Sequence, residues 1–439
     1  MLELRGGVEG FYGRPWSWAE RNRMLEFMGA HGFNYYAYAP KNDPLHRNRW
    51  REAYLPVELE RFAAFSANAA SHWIEFAFGL TPLEFHYSDS SDYAVLLEKF
   101  RAVQSVGISS FVLLLDDIPE SFRFADDAER FASLGAAQAW LCNRLLEDLG
   151  PARLIFTPTE YHGQGDSAYL CDLGQHLELA IDVFWTGPQI CSRTITTPHL
   201  ETVASSLGRA PVIWDNYPVN DLDMRFDPHL RPYRGRDTDL ERACRGVVIN
   251  AALQAEASKI ALHTVAQWLE KPEQYEPESA WHEALRVVTA PSNPTVVGAT
   301  GRSPLRLGGN TNDGVTDAEA VADLARLSQA SALEDGVINP DLEARINTMP
   351  LEDVSAFITE LEAMTSTLET LGNAHLRADL EPWTTKLRGW LEVLKLAQAG
   401  DEAATLERLR VTRENFHRVG GDLLEVLARR ALWARVEAQ

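Results

Sequence analysis

The sequence predicts an α/β protein in which a (β/α)8 TIM barrel is followed by an all-α helical bundle. Three observations carry this. Eight short apolar runs alternate with segments of helical spacing over roughly the first 270 residues, the usual size of such a barrel. One run, Phe111-Val112-Leu113-Leu114-Leu115, is unbroken and leads straight into Asp116-Asp117, which suits a parallel strand covered on both faces. From about Thr316 onward β-branched runs vanish and Leu, Ala, Glu and Arg dominate.

Residues 4 to 10 read as the first strand, followed by a glycine- and aromatic-rich loop, Phe11-Tyr12-Gly13-Arg14-Pro15-Trp16. Ser17-Trp18-Ala19-Glu20 matches a capping box, whose side chains satisfy free N–H groups at a helix start, and Met24, Leu25, Phe27 and Met28 fall near helical spacing. The second strand covers 34–39 and ends at Pro40-Lys41, with its helix at 59–70. A third strand at 74–80 precedes a helix at 93–106, and the fourth, 111–115, precedes one at 136–149. Runs at 154–156, 183–185, 212–214 and 247–249 complete the eight, and 255–269 is the clearest of the later helices. Pro272, Pro277, Pro291 and Pro294, then a Gly/Asn/Thr-rich stretch over 298–314, mark a boundary. The expected division is a barrel over 1–270, a connecting segment over 271–315 and a stalk-like helical bundle over 316–439. Within the bundle, 354–371, 380–396, 403–416 and 423–436 carry heptad-like apolar spacing.

Composition narrows the function. The 439 residues are 45% hydrophobic and 24% charged, ordinary for a globular chain with a sizeable core. A formal charge of −22 repels phosphate over most of the surface, so neither nucleic acid nor an anionic membrane is an expected partner, and a neutral ligand is favoured over a polyanion such as hyaluronan. The N-terminus carries no apolar signal region and no run of about eighteen apolar residues occurs, so a cytoplasmic location is expected. Cys142, Cys171, Cys191 and Cys244 are scattered without metal-site spacing and read as reduced packing residues.

In a parallel barrel the active site lies at the C-terminal strand ends, because the strand-to-helix loops converge there. The residues collected at those ends are Glu9 and Gly10, Lys41, Asp116 and Asp117, Glu160 and Tyr161, Thr186, Trp214-Asp215-Asn216, Asp221 and Asn250. Carboxylates, neutral hydrogen-bonding groups and aromatics describe a sugar pocket; the glycines lack the loop-to-helix arrangement of a phosphate site. Adjacent carboxylates suit glycosidic chemistry, in which one acid donates a proton while the other stays ionised. Successive side chains on a strand face opposite ways, so both aspartates reach one ligand only if the strand ends between them, and Ile118-Pro119 supports an ending. The alternatives are that one aspartate only caps the loop, or that the pair seats a divalent cation with Glu160, Asp215 or Asp221. No HxH, HExxH or DxD arrangement accompanies the strand ends.

The motifs together are more specific. Gly7-Val8-Glu9-Gly10-Phe11-Tyr12-Gly13-Arg14-Pro15-Trp16, Tyr38-Ala39-Pro40-Lys41 with Asp43 and His46-Arg47, Asp116-Asp117-Ile118, Pro158-Thr159-Glu160-Tyr161, Trp185-Thr186-Gly187-Pro188, Trp214-Asp215-Asn216 and Asn220-Asp221 resemble glycoside hydrolase family 84 in family order. These are the O-GlcNAcases and related β-N-acetylglucosaminidases, some described as hyaluronidases, and the resemblance covers about residues 4 to 270. It implies a cofactor-independent, retaining exo-glycosidase in which the substrate's acetamido oxygen attacks C1 and forms an oxazoline. By position, it implies that Asp116 orients the acetamide and that Asp117 is the acid and then the base. It further implies that Tyr161 bonds near the acetamido oxygen, that Trp214 and Asn216 shape the N-acetyl pocket, and that Gly10, Lys41, Asp221 and Asn250 hold the sugar hydroxyls. A GlcNAc-bearing polypeptide is the implied substrate; glycan fragments, or sugar binding without turnover, are the alternatives. The C-terminal helices resemble the family's stalk in class, which implies pairing of two chains, and Trp383, Trp390 and Trp433 are either core or contact residues. Asn42 departs from an aspartate frequent after the lysine, and Ala251 from a proline common after the asparagine.

Overall fold

The computed structural model describes residues 2–291, 315–328, 340–420 and 423–437. Its eight strands are β1 (Leu4–Glu9), β2 (Tyr35–Tyr38), β3 (Glu75–Leu80), β4 (Ser110–Leu114), β5 (Arg153–Thr157), β6 (Asp182–Trp185), β7 (Val212–Asp215) and β8 (Gly246–Asn250). Each pairs in parallel with the next, and β8 returns to β1 with Leu4 opposite Gly246 and Val8 opposite Asn250, closing the barrel. All eight apolar runs of the sequence lie on these strands. The helices of this part are α1 (Trp18–Ala30), α2 (Pro56–Ser71), α3 (Ser90–Gln104), α4 (Ala125–Arg130), α5 (Leu134–Leu149), α6 (Ala168–His176), α7 (Thr197–Leu207) and α8 (Ala255–Glu270). The short α4, inside the loop after β4, has no signal in the apolar spacing.

Alternation along the strands sorts the two barrel faces. Val8, Tyr35, Ala37, Val112, Leu114, Phe184, Trp214 and Val248 form one buried cluster inside the barrel. The opposite side chains meet the helices through edge-to-face rings: Phe62 on Phe78 at 5.4 Å, Phe65 on Phe76 at 5.1 Å and Phe100 on Phe111 at 5.2 Å. Such pairs add about 0.5–1.5 kcal/mol each beyond the area they bury. The predicted capping box is formed, with Ser17 Oγ accepting the Glu20 N–H at 3.2 Å and Glu20 Oε2 accepting the Ser17 N–H at 2.6 Å.

Glu9 was expected at the pocket and is elsewhere. Val8 points into the barrel, so the next side chain points out, where Arg21 of α1 meets it through two bonds of 2.7 and 2.8 Å. Trp16 N–H and the Tyr36 hydroxyl fill the remaining acceptor capacity of this fully buried carboxylate. Removing the arginine leaves a buried charge unmatched. Arg21→Ala is therefore expected to destabilise the chain by about 3–5 kcal/mol, read as a fall in the urea midpoint; an unchanged midpoint would contradict this account.

The chain divides into two compact units, and the second takes Asp223–Pro232, Glu256–Ala261 and Glu278–Gln439. Its helices are α9 (Pro277–Thr289), α10 (Asp317–Leu327), α11 (Pro340–Thr348), α12 (Val354–Glu369), α13 (Ala374–Ala399), α14 (Glu402–Glu414) and α15 (Leu423–Glu437). The expected connecting segment thus contains a full helix, α9, whose Trp281, Ala284, Leu285 and Val288 are buried in this unit's core. The rest of that segment from 292 to 314 lies outside the described residues. Trp383 and Trp390 are core residues, and Trp383 Nε1 donates to the Phe226 carbonyl at 2.8 Å. Trp433 is 68% exposed. Among the described residues no helix is long and apolar enough to cross a membrane.

Candidate active site

β4 ends at Leu114, and Leu115 makes one further ladder bond to the Thr157 carbonyl at 2.9 Å. The chain then breaks its alternation: Asp117 has φ +53°, a left-handed conformation that a side chain other than glycine adopts only when its surroundings hold it. The consequence is that both carboxylates reach one cation. Lys41 Nζ donates to Asp116 Oδ2 and lies 3.7 Å from Asp117 Oδ2.

Lys41 is delivered by the loop after β2, which is itself tied down. Asp43 accepts the Tyr38 and Tyr54 hydroxyls at 2.7 and 3.1 Å, and buried Lys99 of α3 donates to the carbonyls of Leu45, Trp50 and Glu52. Burial lowers the Lys99 ammonium to about 8.

Asp117 is the more exposed of the pair. Its Oδ2 accepts the Tyr12 hydroxyl at 2.7 Å and its Oδ1 the Tyr161 hydroxyl at 3.1 Å. Burial works to raise the Asp117 carboxyl, but Lys41 and the two hydroxyls more than offset it and hold it below the usual carboxylate range. Burial and the neighbouring Asp117 push both tyrosines up, so both remain hydroxyl donors at neutral pH. Asp116 is almost wholly buried, and its second oxygen, Oδ1, has no hydrogen-bond partner.

A second cluster stands beside the acids. Trp214, inside the barrel and edge-on to Phe184, donates through Nε1 to Asn216 Oδ1 at 2.9 Å. Asn250 Nδ2 donates to the same oxygen at 2.8 Å, and Asn250 Oδ1 accepts the Gly10 N–H at 3.1 Å. Asn216 Nδ2 donates to the Ile190 carbonyl at 2.8 Å. These partners fix which end of each carboxamide is oxygen. Gly10 has to be glycine, since a Cβ there would stand 2.3 Å from the Trp214 ring. Asp221 Oδ2 accepts the Tyr12 N–H at 2.8 Å, and burial raises its carboxyl.

Gly10, Lys41, Asp116, Asp117, Tyr161, Trp214, Asn216, Asp221 and Asn250 thus all stand at the C-terminal ends of the strands or in the loops that follow. Two other residues of the strand-end set have structural tasks. Asp215, which follows inward-facing Trp214, points outward and accepts Arg236 Nε at 2.7 Å and the Tyr233 hydroxyl at 2.6 Å. Thr186 N–H donates to the Tyr161 carbonyl at 2.9 Å and its Oγ1 to the Gln189 carbonyl at 2.9 Å, fixing the loop that carries Tyr161. Sequence reasoning missed Tyr12 and Arg47 as site residues. Tyr12 sat in a loop already conspicuous for its aromatics, and the Arg47 guanidinium lies 5.0 Å from the Tyr12 ring centroid.

A divalent ion between the aspartates is disfavoured by the Lys41 ammonium, which stands where such an ion would. Among the described residues the one close grouping of metal-donor types is His86, in the loop after β3, with Asp126 and Asp127 of α4. Its donors are already engaged: His86 Nε2 meets both Asp126 oxygens at 2.9 Å, and Asp127 accepts the N–H groups of Tyr87 and Ser88.

Comparison with known proteins agrees with this geometry. A family described as beta-N-acetylglucosaminidase matches residues 5–298. The Protein O-GlcNAcases of Rattus norvegicus and Mus musculus are each 38% identical over 273 residues, 60% of this chain and 30% of theirs. The chain therefore spans about a third of the length of those relatives. A mutant of the Thermobaculum terrenum O-GlcNAc hydrolase superposes with a TM-score of 0.86 at 29% identity, over 99% of this chain and 96% of that one. The structure of CpGH84B, 23% identical with a TM-score of 0.75 over 98% of this chain and 77% of that one, shares the fold. With its closed barrel, its paired aspartates and a family match over most of its length, the chain belongs to the β-N-acetylglucosaminidases of glycoside hydrolase family 84.

Proposed function

We propose that the chain hydrolyses terminal β-linked N-acetylglucosamine with retention, by substrate assistance, and that O-GlcNAc on serine or threonine of polypeptides is its substrate. The observation that carries the mechanism is the unpartnered Asp116 Oδ1, a buried acceptor beside an acid–base group. An acetamide N–H is the donor it lacks. As the acetamido oxygen attacks C1, positive charge grows on the nitrogen, and the Asp116 carboxylate, fixed by Lys41, stabilises it. The bond from C1 to the aglycone oxygen breaks, Asp117 gives its proton to the leaving oxygen, and an oxazoline remains, its N–H proton shared with the Asp116 carboxylate. Asp117 then takes a proton from water, which attacks C1 on the face the aglycone left, and the bond from C1 to the acetamido oxygen breaks, restoring the acetamide.

The ligand-free site favours ionised Asp117, which is the form required for the second step. Sugar binding favours the acid form needed first, because it excludes water from this partly exposed carboxylate and brings the acetamide into competition for the Tyr161 hydroxyl. Trp214 and Asn216 wall the N-acetyl pocket, and Gly10 through its carbonyl, with Lys41, Asp221 and Asn250, takes the hydroxyls. Pairing of two chains through the helical unit belongs to the same reading, and a monomer at micromolar concentration in sedimentation would speak against it.

The test is release of GlcNAc from an O-GlcNAc peptide beside chitobiose and a hyaluronan fragment. The peptide is expected to be preferred and the first-formed sugar to be the β-anomer by proton NMR; an α-anomer would sink the assisted mechanism. Because an ammonium fills the space between the aspartates, activity is expected to survive prolonged treatment with excess EDTA, and loss restored by a divalent ion would contradict the reading.

A further inference from the structure

Tyr12 lies in a loop, yet its two polar atoms reach two different carboxylates. The hydroxyl donates to Asp117 Oδ2 at 2.7 Å and the backbone N–H to Asp221 Oδ2 at 2.8 Å. Arg47 stacks on the ring, with its guanidinium carbon 5.0 Å from the centroid. Arg47 Nε is buried without an acceptor, so hydrogen bonding at that atom does not fix the side chain, whereas the ring contact does.

We propose that Tyr12 and Arg47 are positioning residues for the acid–base group: Arg47 fixes the ring, and the Tyr12 hydroxyl holds Asp117 in its ionised, water-activating form. The inference rests on the reading of Asp117 given above. The groups facing Asp117 are the Lys41 ammonium at 3.7 Å, the Tyr161 hydroxyl on Oδ1, the Tyr12 hydroxyl on Oδ2, adjacent Asp116, and the charges of Arg47 and Asp221. A hydroxyl that donates to a carboxylate stabilises its charged form more than its neutral one. Protonated Asp117 is needed to expel the aglycone and ionised Asp117 to deprotonate water. Tyr12 therefore opposes the first half-reaction and assists the second.

Tyr12→Phe keeps the ring and the backbone N–H and removes only the hydroxyl. The pH profile of kcat/KM reports the free enzyme, and its basic limb is the loss of the acid form of Asp117. Deleting a donor to the anion raises that pKa, so the limb is expected to move up by about one pH unit. Arg47→Met is expected to move it the same way by a smaller step, with Arg47→Lys restoring the wild-type limb. With an activated aryl glycoside, where breakdown of the intermediate limits turnover, the acidic limb of kcat, which reports loss of ionised Asp117, should likewise move up by about one pH unit in Tyr12→Phe. A basic limb that is unmoved or moves down in both Tyr12→Phe and Arg47→Met overturns the inference; if the phenylalanine variant does not fold, the Arg47 pair reads the same limb. Wild-type protein that releases no sugar from the aryl glycoside overturns the reading of the site instead.

Discussion

Asp117→Ala is expected to slow hydrolysis of a β-N-acetylglucosaminide with a poor leaving group by about 10²–10⁴-fold, and far less when the leaving group is an activated phenol. The difference arises because a good leaving group departs as an anion and needs no proton. Removing the carboxylate should leave the assisted attack on C1 intact, since in the proposed mechanism that depends on Asp116, which Lys41 holds. The second step still lacks its base, so activated substrates should show a rapid first turnover followed by a slow steady state. Rates across a series of aryl leaving groups check this. If the alanine variant hydrolysed poor and good substrates at wild-type rates, Asp117 would not be the proton donor. The fold should be little affected, because the side chain is 31% exposed and its contacts are two hydroxyls and a lysine shared with Asp116.

The barrel was legible because its signals are periodic. Each strand is a short apolar run, and the capping box at Ser17 marks a helix start through fixed spacing. The aspartate pair was legible for the same reason, as charge at the end of a buried run. What the spacing could not show is which strand-end polar groups face inward. Glu9 and Asp215 each follow an inward residue, Val8 and Trp214, and so turn outward to Arg21 and Arg236. Asp117 follows Asp116 in the same way and escapes that rule only through its positive φ, a feature of the folded backbone. Tyr12 and Arg47 come from loops, where no period applies. Residues 223–232 and 256–261 group with the helical unit, although nothing in their composition separates them from their neighbours.

Asp116→Asn tests the other half of the pair, and its effect should not depend on the leaving group. The aspartate offers two acceptors at opposite ends of one carboxylate: Oδ2 takes Lys41, and Oδ1 is open. Asparagine keeps the volume but has one acceptor and one donor. Whichever way it turns, either the Lys41 ammonium or the acetamide N–H faces an NH₂ group. The anionic charge that, in the proposed mechanism, offsets the developing positive nitrogen is also gone. Loss of one such preorganised contact to a transition state is worth about 10²–10³-fold in kcat. That loss is expected for poor and activated aryl glycosides alike, because in the proposed mechanism the attack that forms the oxazoline precedes or accompanies departure of either. A flat loss for Asp116→Asn beside a steep leaving-group dependence for Asp117→Ala would separate the two carboxylates by chemistry, despite their adjacency in the chain. Full activity in the asparagine variant, with the protein folded, would mean that the open oxygen is not where the acetamide binds.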